Sequence, residues 1–401
     1  MVNKIKIALV VAETAPIPDI LGGGAERLVT MLIDQNEIEK KVQFVVTSKY
    51  NKKAKKLASK YKHTIFIYIR NKSPLTKIYN VLIRSMNKFL NANFKKHGYY
   101  DVIAKKLDSD CDILIDENGY CEEVGFLSES FGNEKIIAHI HWMVNPIAKN
   151  IDSFYGGVIG VSNYITNYWA QHSNCSGIER MTVYSAVDEN RFLKDTSIEN
   201  KLKLRNKYNI NCEDFVYIYC GRLLEQKGVR ELIEAFIKSD LANSKLIIIG
   251  GGNLKDTSVS EYEKGLHTLA NKNENIIFTG YIDNENLSPL YGLADAQVIP
   301  TLVEEAAGLV AIEGMYSCLP IIATKSGGLQ EYLDDKCSIM VEKDYDVVNN
   351  LSEAMKFLYF NREITKKMSV AARNRANNFT QKKYYNDFIE NIEKYIRKKG
   401  I

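Results

Sequence analysis

Short apolar runs alternate with helical patterns along most of the chain, and no other feature constrains the fold as much. "IKIALVVA" (5–12) is followed by a Gly-rich turn and an amphipathic helix from Ala25. The runs "VQFVVT" (42–47), "TIFIYI" (64–69), "CDILID" (111–116), "KIIAHIH" (135–141) and "GGVIGVS" (156–162) then read as strands. A second series starts near residue 215 with "FVYIYC", "KLIIIG", "NIIFTG", "AQVIP" and "PIIAT". Runs this short and this apolar, separated by helices, predict parallel sheets covered by helices. Two series predict an α/β chain of two Rossmann-like domains, residues 1–190 and 191–380. The join is expected near 186–202, where "AVDENRFLKDTSIENKL" turns polar. The stretch "YYNDFIENIEKYIRK" (384–398) predicts an amphipathic helix, which sets residues 381–401 apart as a C-terminal helix that packs on its own domain or crosses back to the first. Ligands of such sheets bind at the carboxyl ends of the strands, and in a two-domain chain those ends can face each other across a cleft.

Composition removes several classes. Apolar residues make up 45% of the 401 and charged residues 25%, ordinary for a globular protein. The 53 basic residues nearly balance 49 acidic ones, for a net charge of +4, which argues against a nucleic-acid partner. Cys111, Cys121, Cys175, Cys212, Cys220, Cys318 and Cys337 are odd in number and show no C-x-x-C spacing. That suits a reducing, cytoplasmic compartment. No segment approaches the roughly 18 apolar residues of a membrane span, and the first apolar run is too short for a signal peptide.

Four stretches fall where strand ends should be. In "GGGAERLV" (22–29), Gly23 and Gly24 open a helix whose free N–H groups suit a phosphate, although the spacing is not that of a dinucleotide fingerprint. In "HIHW" (139–142), alternation puts His139 and His141 on one face. A metal would need a third ligand, and the sequence offers no convincing one, so no metal is expected. His141 lies nearer the strand end and is the better candidate for touching a substrate; His139 reads as a satisfied core histidine. In "CGRLLEQKGVRELIEAF" (220–236), Arg222 and Lys227 follow a strand and suit a diphosphate, the first as a fork and the second as a point charge. In "EEAAGLVAIE" (304–313), Glu305 is expected in a loop, with Ala306, Ala307, Gly308 and Leu309 forming the start of a helix and Glu313 one to two turns in. Free N–H groups there can meet an anion, a glycine can allow close backbone approach to a ligand, and Glu313 can accept hydrogen bonds from vicinal hydroxyls.

Taken together, "GRLLEQKG", the two glutamates of "EAAGLVAIE" and "LPIIATKSGGLQEYL" resemble glycosyltransferase family 4. "GGGAERLV", "HIHW" and "VYSAVDENRF" agree with that family in order and spacing. The resemblance covers nearly the whole chain and is most specific over residues 217–332. It implies a GT-B fold, with an acceptor-binding N-terminal domain, a nucleotide-sugar-binding second domain and a final helix that crosses to the first. It also implies a retaining hexosyltransferase, with a nucleotide-sugar donor, UDP-linked here, and no metal or other cofactor. Gly23 and Gly24 would lie near the donor diphosphate, and His141 near the transferred sugar. Arg222 and Lys227 would hold the diphosphate, Glu305 the sugar and Glu313 the ribose, while backbone near Tyr281 would read the base. The acceptor would be a glycan or lipid-linked glycan of a bacterial cell surface. Two departures stand out: the family's Gly-Phe-Gly is Ala306-Ala307-Gly308, and its Asn-Gly-Val-Asp is Ser185-Ala186-Val187-Asp188.

Rival readings remain. Asp108-Ser-Asp110 has the letters of a metal motif but precedes a strand, the wrong end. A non-catalytic sugar-binding or scaffold paralogue would not need all four of Arg222, Lys227, Glu305 and Glu313. An NAD-dependent dehydrogenase lacks its glycine spacing. Residues 72–107 interleave basic and apolar residues: Ile78, Val81, Leu82, Met86 and Phe89 share a helical face flanked by Lys77, Arg84 and Lys88. The simpler expectation is that this face packs on the sheet; the alternative is peripheral contact with the inner face of a membrane.

Overall fold

A computed structural model describes residues 4–401 apart from 14, 71–80, 84, 87–88, 90–97, 193–197, 253–258 and 272. The chain divides into two compact units, one of residues 1–184 with 381–401 and one of residues 185–380.

The first unit carries a parallel sheet of seven strands: β1 (Lys6–Val11), β2 (Gln43–Lys49), β3 (Thr64–Ile69), β4 (Ile113–Glu117), β5 (Ile136–Ile140), β6 (Gly157–Gly160) and β7 (Glu179–Thr182). Their order is β3-β2-β1-β4-β5-β6-β7. Order reverses at β1, the switch point where ligands of such sheets gather. Helices on both faces explain the continuous apolar character of the central strands: Ile7 to Val10 and Ile113 to Ile115 are wholly buried. The second unit repeats the plan with β8 (Phe215–Cys220), β9 (Ser244–Ile249), β10 (Ile276–Gly280), β11 (Ala296–Ile299), β12 (Ile321–Thr324) and β13 (Ser338–Val341). Here the order is β10-β9-β8-β11-β12-β13, again parallel, with the switch between β8 and β11. The runs read as strands are strands; β7 and β13, the last strands of their sheets, are additional to them.

The helix Gln381–Lys399 belongs to the first unit. Tyr384, Tyr385, Phe388, Ile389, Ile392 and Tyr395 make its buried stripe, spaced as a helical face requires. It lies against the helix Gly24–Glu39: the Tyr385 hydroxyl donates to Asn36 Oδ1 at 2.7 Å, and Gln381 Nε2 donates to the Met31 carbonyl at 3.2 Å. Farther along, the Tyr395 hydroxyl donates to the Glu134 carbonyl at 2.6 Å.

Residues 72–107 depart from the simpler expectation. Val81, Leu82, Met86 and Phe89 are exposed, Phe89 at 89%, while Ile83 is buried. The described residues of that apolar face therefore do not pack on the sheet. Lys77, Ile78, Arg84 and Lys88 lie outside the described residues.

Candidate functional site

Each unit gathers charged side chains at the carboxyl ends of its strands. In the first, β4 and β5 run side by side in a register that pairs Glu117 with His139. The alternation of β5 and the residue just beyond it brings the His139 and His141 rings onto the same side, centroids 4.3 Å apart. Glu117 holds both: Oε1 lies 2.9 Å from His139 Nδ1, and Oε2 lies 2.9 Å from His141 Nε2. Burial would raise the Glu117 carboxyl, but the histidines outweigh it and hold the group at about 2. Burial, with His139 beside it, lowers His141 against the opposing pull of Glu117. An ionised carboxylate only accepts, so these contacts put the proton of His139 on Nδ1 and that of neutral His141 on Nε2. His141 Nδ1 is left as an acceptor, suited to a hydroxyl proton. The His141 backbone N–H donates to the Tyr120 hydroxyl at 3.2 Å, which fixes the residue from behind.

Two expectations change here. His139 is only half satisfied: its Nε2 is buried without a hydrogen-bond partner. And a third ligand does accompany the histidines. Glu117, His139 and His141 each offer one ligand atom within 4.8 Å of the others, a set that could hold a metal ion. Its sequence signal was Asp116-Glu117, two carboxylates ending an apolar strand. Asp116 points the other way, where the Tyr155 and Tyr100 hydroxyls donate to it at 2.6 and 3.1 Å. Burial raises its carboxyl to about 7 against those two donors.

Gly23 is the N-cap of the helix Gly24–Glu39, and Gly24 is its first residue. The Glu26 carboxylate folds back so closely that a Cβ on Gly23 would lie 2.0 Å from its Oε2. A diphosphate approaching this helix mouth would meet that carboxylate first.

In the second unit the loops after β8 and β11 are laced together. Gly228 adopts φ 68°, and a Cβ there would come within 1.9 Å of the Pro300 carbonyl oxygen, so only glycine lets the two loops approach. The Leu302 N–H donates to the Gln226 carbonyl at 2.9 Å. This brings Lys227 Nζ to Glu305 Oε1 at 2.5 Å. The Thr301 hydroxyl donates to the same oxygen at 2.8 Å, and the Glu305 N–H donates to Ser326 Oγ at 2.9 Å. Ser326 and neighbouring Glu304, which takes Lys343 and the Gly327 N–H, escaped the sequence reading because each acts across loops distant in the chain, while Thr301 reaches Glu305 within its own loop, four residues away.

The other residues are placed as follows. Arg222 is exposed beyond β8, and its guanidinium makes no ion pair among the described residues. The helix near Glu305 starts later than expected: it is Leu309–Tyr316 with Gly308 as N-cap, and Ala306 and Ala307 stay in the loop. A Cβ on Gly308 would lie 3.1 Å from Leu329 and Tyr332, so a larger residue there would have to shift these side chains by a few tenths of an ångström. Glu313 is buried, and its Oε2 accepts the Tyr291 hydroxyl at 3.2 Å. Burial, with Glu313 nearby, pushes the Cys220 thiol up to about 12, so the cysteine ending β8 stays protonated. Tyr281 is half exposed after Gly280, which takes φ 72°.

Residues 200–375 match the family model described as Glycosyl transferases group 1. An uncharacterized glycosyltransferase of Methanocaldococcus jannaschii is 31% identical over 152 residues, 38% of this chain and 37% of the relative. The lipopolysaccharide 1,2-N-acetylglucosaminetransferase of Salmonella typhimurium is 26% identical over 208 residues, 51% of this chain and 52% of the relative. The chain thus spans about half the length, or less, of these two relatives. Among solved structures, Anabaena HepE in complex with UDP superposes with a TM-score of 0.74, 97% of this chain on 100% of that one, at 17% identity. The two-domain fold is therefore that of the GT-B glycosyltransferases, and residues 200–375 carry the sequence pattern of their group 1.

Proposed function

We propose that the chain is a hexosyltransferase that moves a sugar from a UDP-linked donor to a glycan or lipid-linked glycan, with retention and without a metal, in cell-surface polysaccharide or glycolipid synthesis. The observation that carries this reading is the Lys227–Glu305 pair at the carboxyl ends of β8 and β11, inside the segment that matches the group 1 family. As the bond from the sugar's anomeric carbon to the diphosphate breaks, negative charge grows on the leaving group. Lys227 would turn from Glu305 to that charge, joined by the uncommitted guanidinium of Arg222. Cations already in place at developing charge lower the barrier. Glu305, released from Lys227, would face the positive charge on the sugar. Glu313 would take the ribose hydroxyls and Tyr281 backbone the base. UDP as the carrier draws on the UDP complex of the HepE protein.

A thermal-shift series with UDP, GDP, ADP and dTDP, then the matching sugar nucleotides, tests it. The largest stabilisation is expected from UDP and one UDP-hexose; no stabilisation by any of them would end the proposal. Transfer in excess EDTA should stay near the untreated rate. Loss of activity restored by a metal would instead point to Glu117, His139 and His141 as a metal site.

A further inference from the structure

A cavity of about 1120 Å³ in the second unit touches none of the residues assigned above. It lies toward the amino ends of the strands: Phe215 opens β8, Asp295 directly precedes β11, and Leu319 shortly precedes β12. Arg222 follows the other end of β8, about 20 Å away at the rise of an extended strand.

The lining divides by chemistry. Phe215, Leu290 and Leu319 are buried and make an apolar floor. The helix Ile198–Lys207 presents Lys201, Leu204 and Lys207 at spacings of three, one helical face. The helix Arg362–Ala376 presents Arg362, Thr365, Lys366 and Ser369, also one face. Lys203 and Lys366 are paired with Glu199 and Glu363 on their own helices. Lys201, Lys207 and Arg362 stand in no ion pair within 4 Å among the described residues; Lys201 and Arg362 act on Asp295 from farther off, and Lys207 Nζ lies over the Tyr208 ring at 5.1 Å. The Arg362 guanidinium lies over the Phe215 ring at 4.2 Å and the Tyr359 ring at 4.7 Å. Stacking of this kind fixes the plane of the fork while leaving its N–H edge uncommitted. The one carboxylate in the lining is Asp295, whose Oδ2 accepts the Val216 N–H at 2.8 Å. Three cations without a close carboxylate partner and one acid that already accepts a backbone N–H therefore surround an apolar floor. A cation fork prefers a phosphate or carboxylate, and the floor favours a ligand that brings apolar surface with it.

We infer that this cavity binds an amphiphilic phosphate, a phosphate head on an apolar body, at a site separate from the nucleotide-sugar site. The head is held by Arg362, Lys201 and Lys207, and the body lies along Phe215, Leu290 and Leu319. Calorimetry on the full chain with octyl phosphate tests this, with inorganic phosphate and octanol as the two halves of the probe. Saturable binding of octyl phosphate is expected, with each half binding far more weakly. Arg362→Gln should weaken it about tenfold or more, the worth of a hydrogen bond to a charged group. Lys207→Gln, on an exposed position that leaves the stack of Arg362 on Phe215 and Tyr359 intact, should weaken it severalfold. Excess UDP should not displace the probe, and Lys227→Gln should bind it normally. Vesicles of phosphatidylcholine with and without phosphatidic acid separate two sources of the same chemistry. Arg362-dependent binding to the phosphatidic acid vesicles marks a membrane lipid; octyl phosphate binding alone marks a soluble metabolite; both carry the inference. Absence of saturable binding, equal binding of inorganic phosphate, indifference to both substitutions, or displacement by UDP would each overturn it.

Discussion

Glu305 and Glu313 should fail in different ways when changed. Glu313 would hold the ribose, a contact that changes little as the bond breaks, so Glu313→Gln should raise donor KM with kcat nearly kept. A hydrogen bond to a charged group is worth about 1.5–3 kcal/mol, so the rise should be roughly 10- to 100-fold. Glu305 would act on charge that develops only during reaction, so Glu305→Gln should lower kcat more than it raises KM. Steady-state kinetics in the donor decide it; a reversed pattern reverses the roles. Glu117 sets a pH dependence of stability. Its carboxyl sits near 2 in the folded chain against 4.5 unfolded, so the stability it contributes is present above about 4.5 and is lost as pH falls toward 2. Asp116, raised to about 7 from 3.8, works in the opposite sense: its contribution is present below about 4 and fades as pH rises toward 7. Melting temperature against pH should show both limbs, the acid one reduced in Glu117→Gln and the other in Asp116→Asn. A melting profile flat from pH 2 to 7 would contradict both assignments. Lys227 and Glu305 were legible because each follows a recognisable strand. Glu117 was not, because its tie to the histidines is made by pairing between neighbouring strands, which spacing along the chain does not reveal.

At the scale of elements, apolar runs announce strands even at a sheet edge, as β3 and β10 do, while a short polar edge strand stays hidden. β1, β4, β8 and β9 are nearly unbroken apolar runs, whereas β7 reads Glu-Arg-Met-Thr with a single buried residue. The helix Leu309–Tyr316 starts three residues later than expected: Ala306 and Ala307 have ample helix propensity yet stay in the loop, so propensity does not decide this boundary. The helix Gln381–Lys399 was legible from its apolar stripe, and the stripe should matter in proportion to its burial. Phe388 is wholly buried, and Phe388→Ala should cost about 3–5 kcal/mol, read as a fall in the denaturant midpoint; a change within the scatter of exposed substitutions would mean the helix is only loosely docked. The exposed Val81, Leu82, Met86 and Phe89 suit peripheral membrane contact, with basic neighbours in the sequence of 72–107. Among the described residues no helix is long and apolar enough to cross a membrane. Flotation with anionic liposomes should show binding that salt weakens and that Phe89→Ser reduces. Equal binding to neutral liposomes, or none to anionic ones, would dismiss this contact.

For the whole molecule, two parallel sheets with their charged residues at the carboxyl ends repeat one plan, and the repetition was visible in the sequence as two series of apolar runs. What the residues at those ends do together is the central claim: a sugar leaves a nucleoside diphosphate whose charge Lys227 and Arg222 neutralise. Release of free nucleoside diphosphate from a panel of sugar nucleotides, followed for the unaltered chain and for Lys227→Gln with its fold verified by melting temperature, tests that claim most directly. UDP release from one UDP-hexose is expected, reduced about 100-fold or more in Lys227→Gln, as when a donor aimed at developing charge is removed. Release from no sugar nucleotide, or release at an undiminished rate by Lys227→Gln, would contradict it.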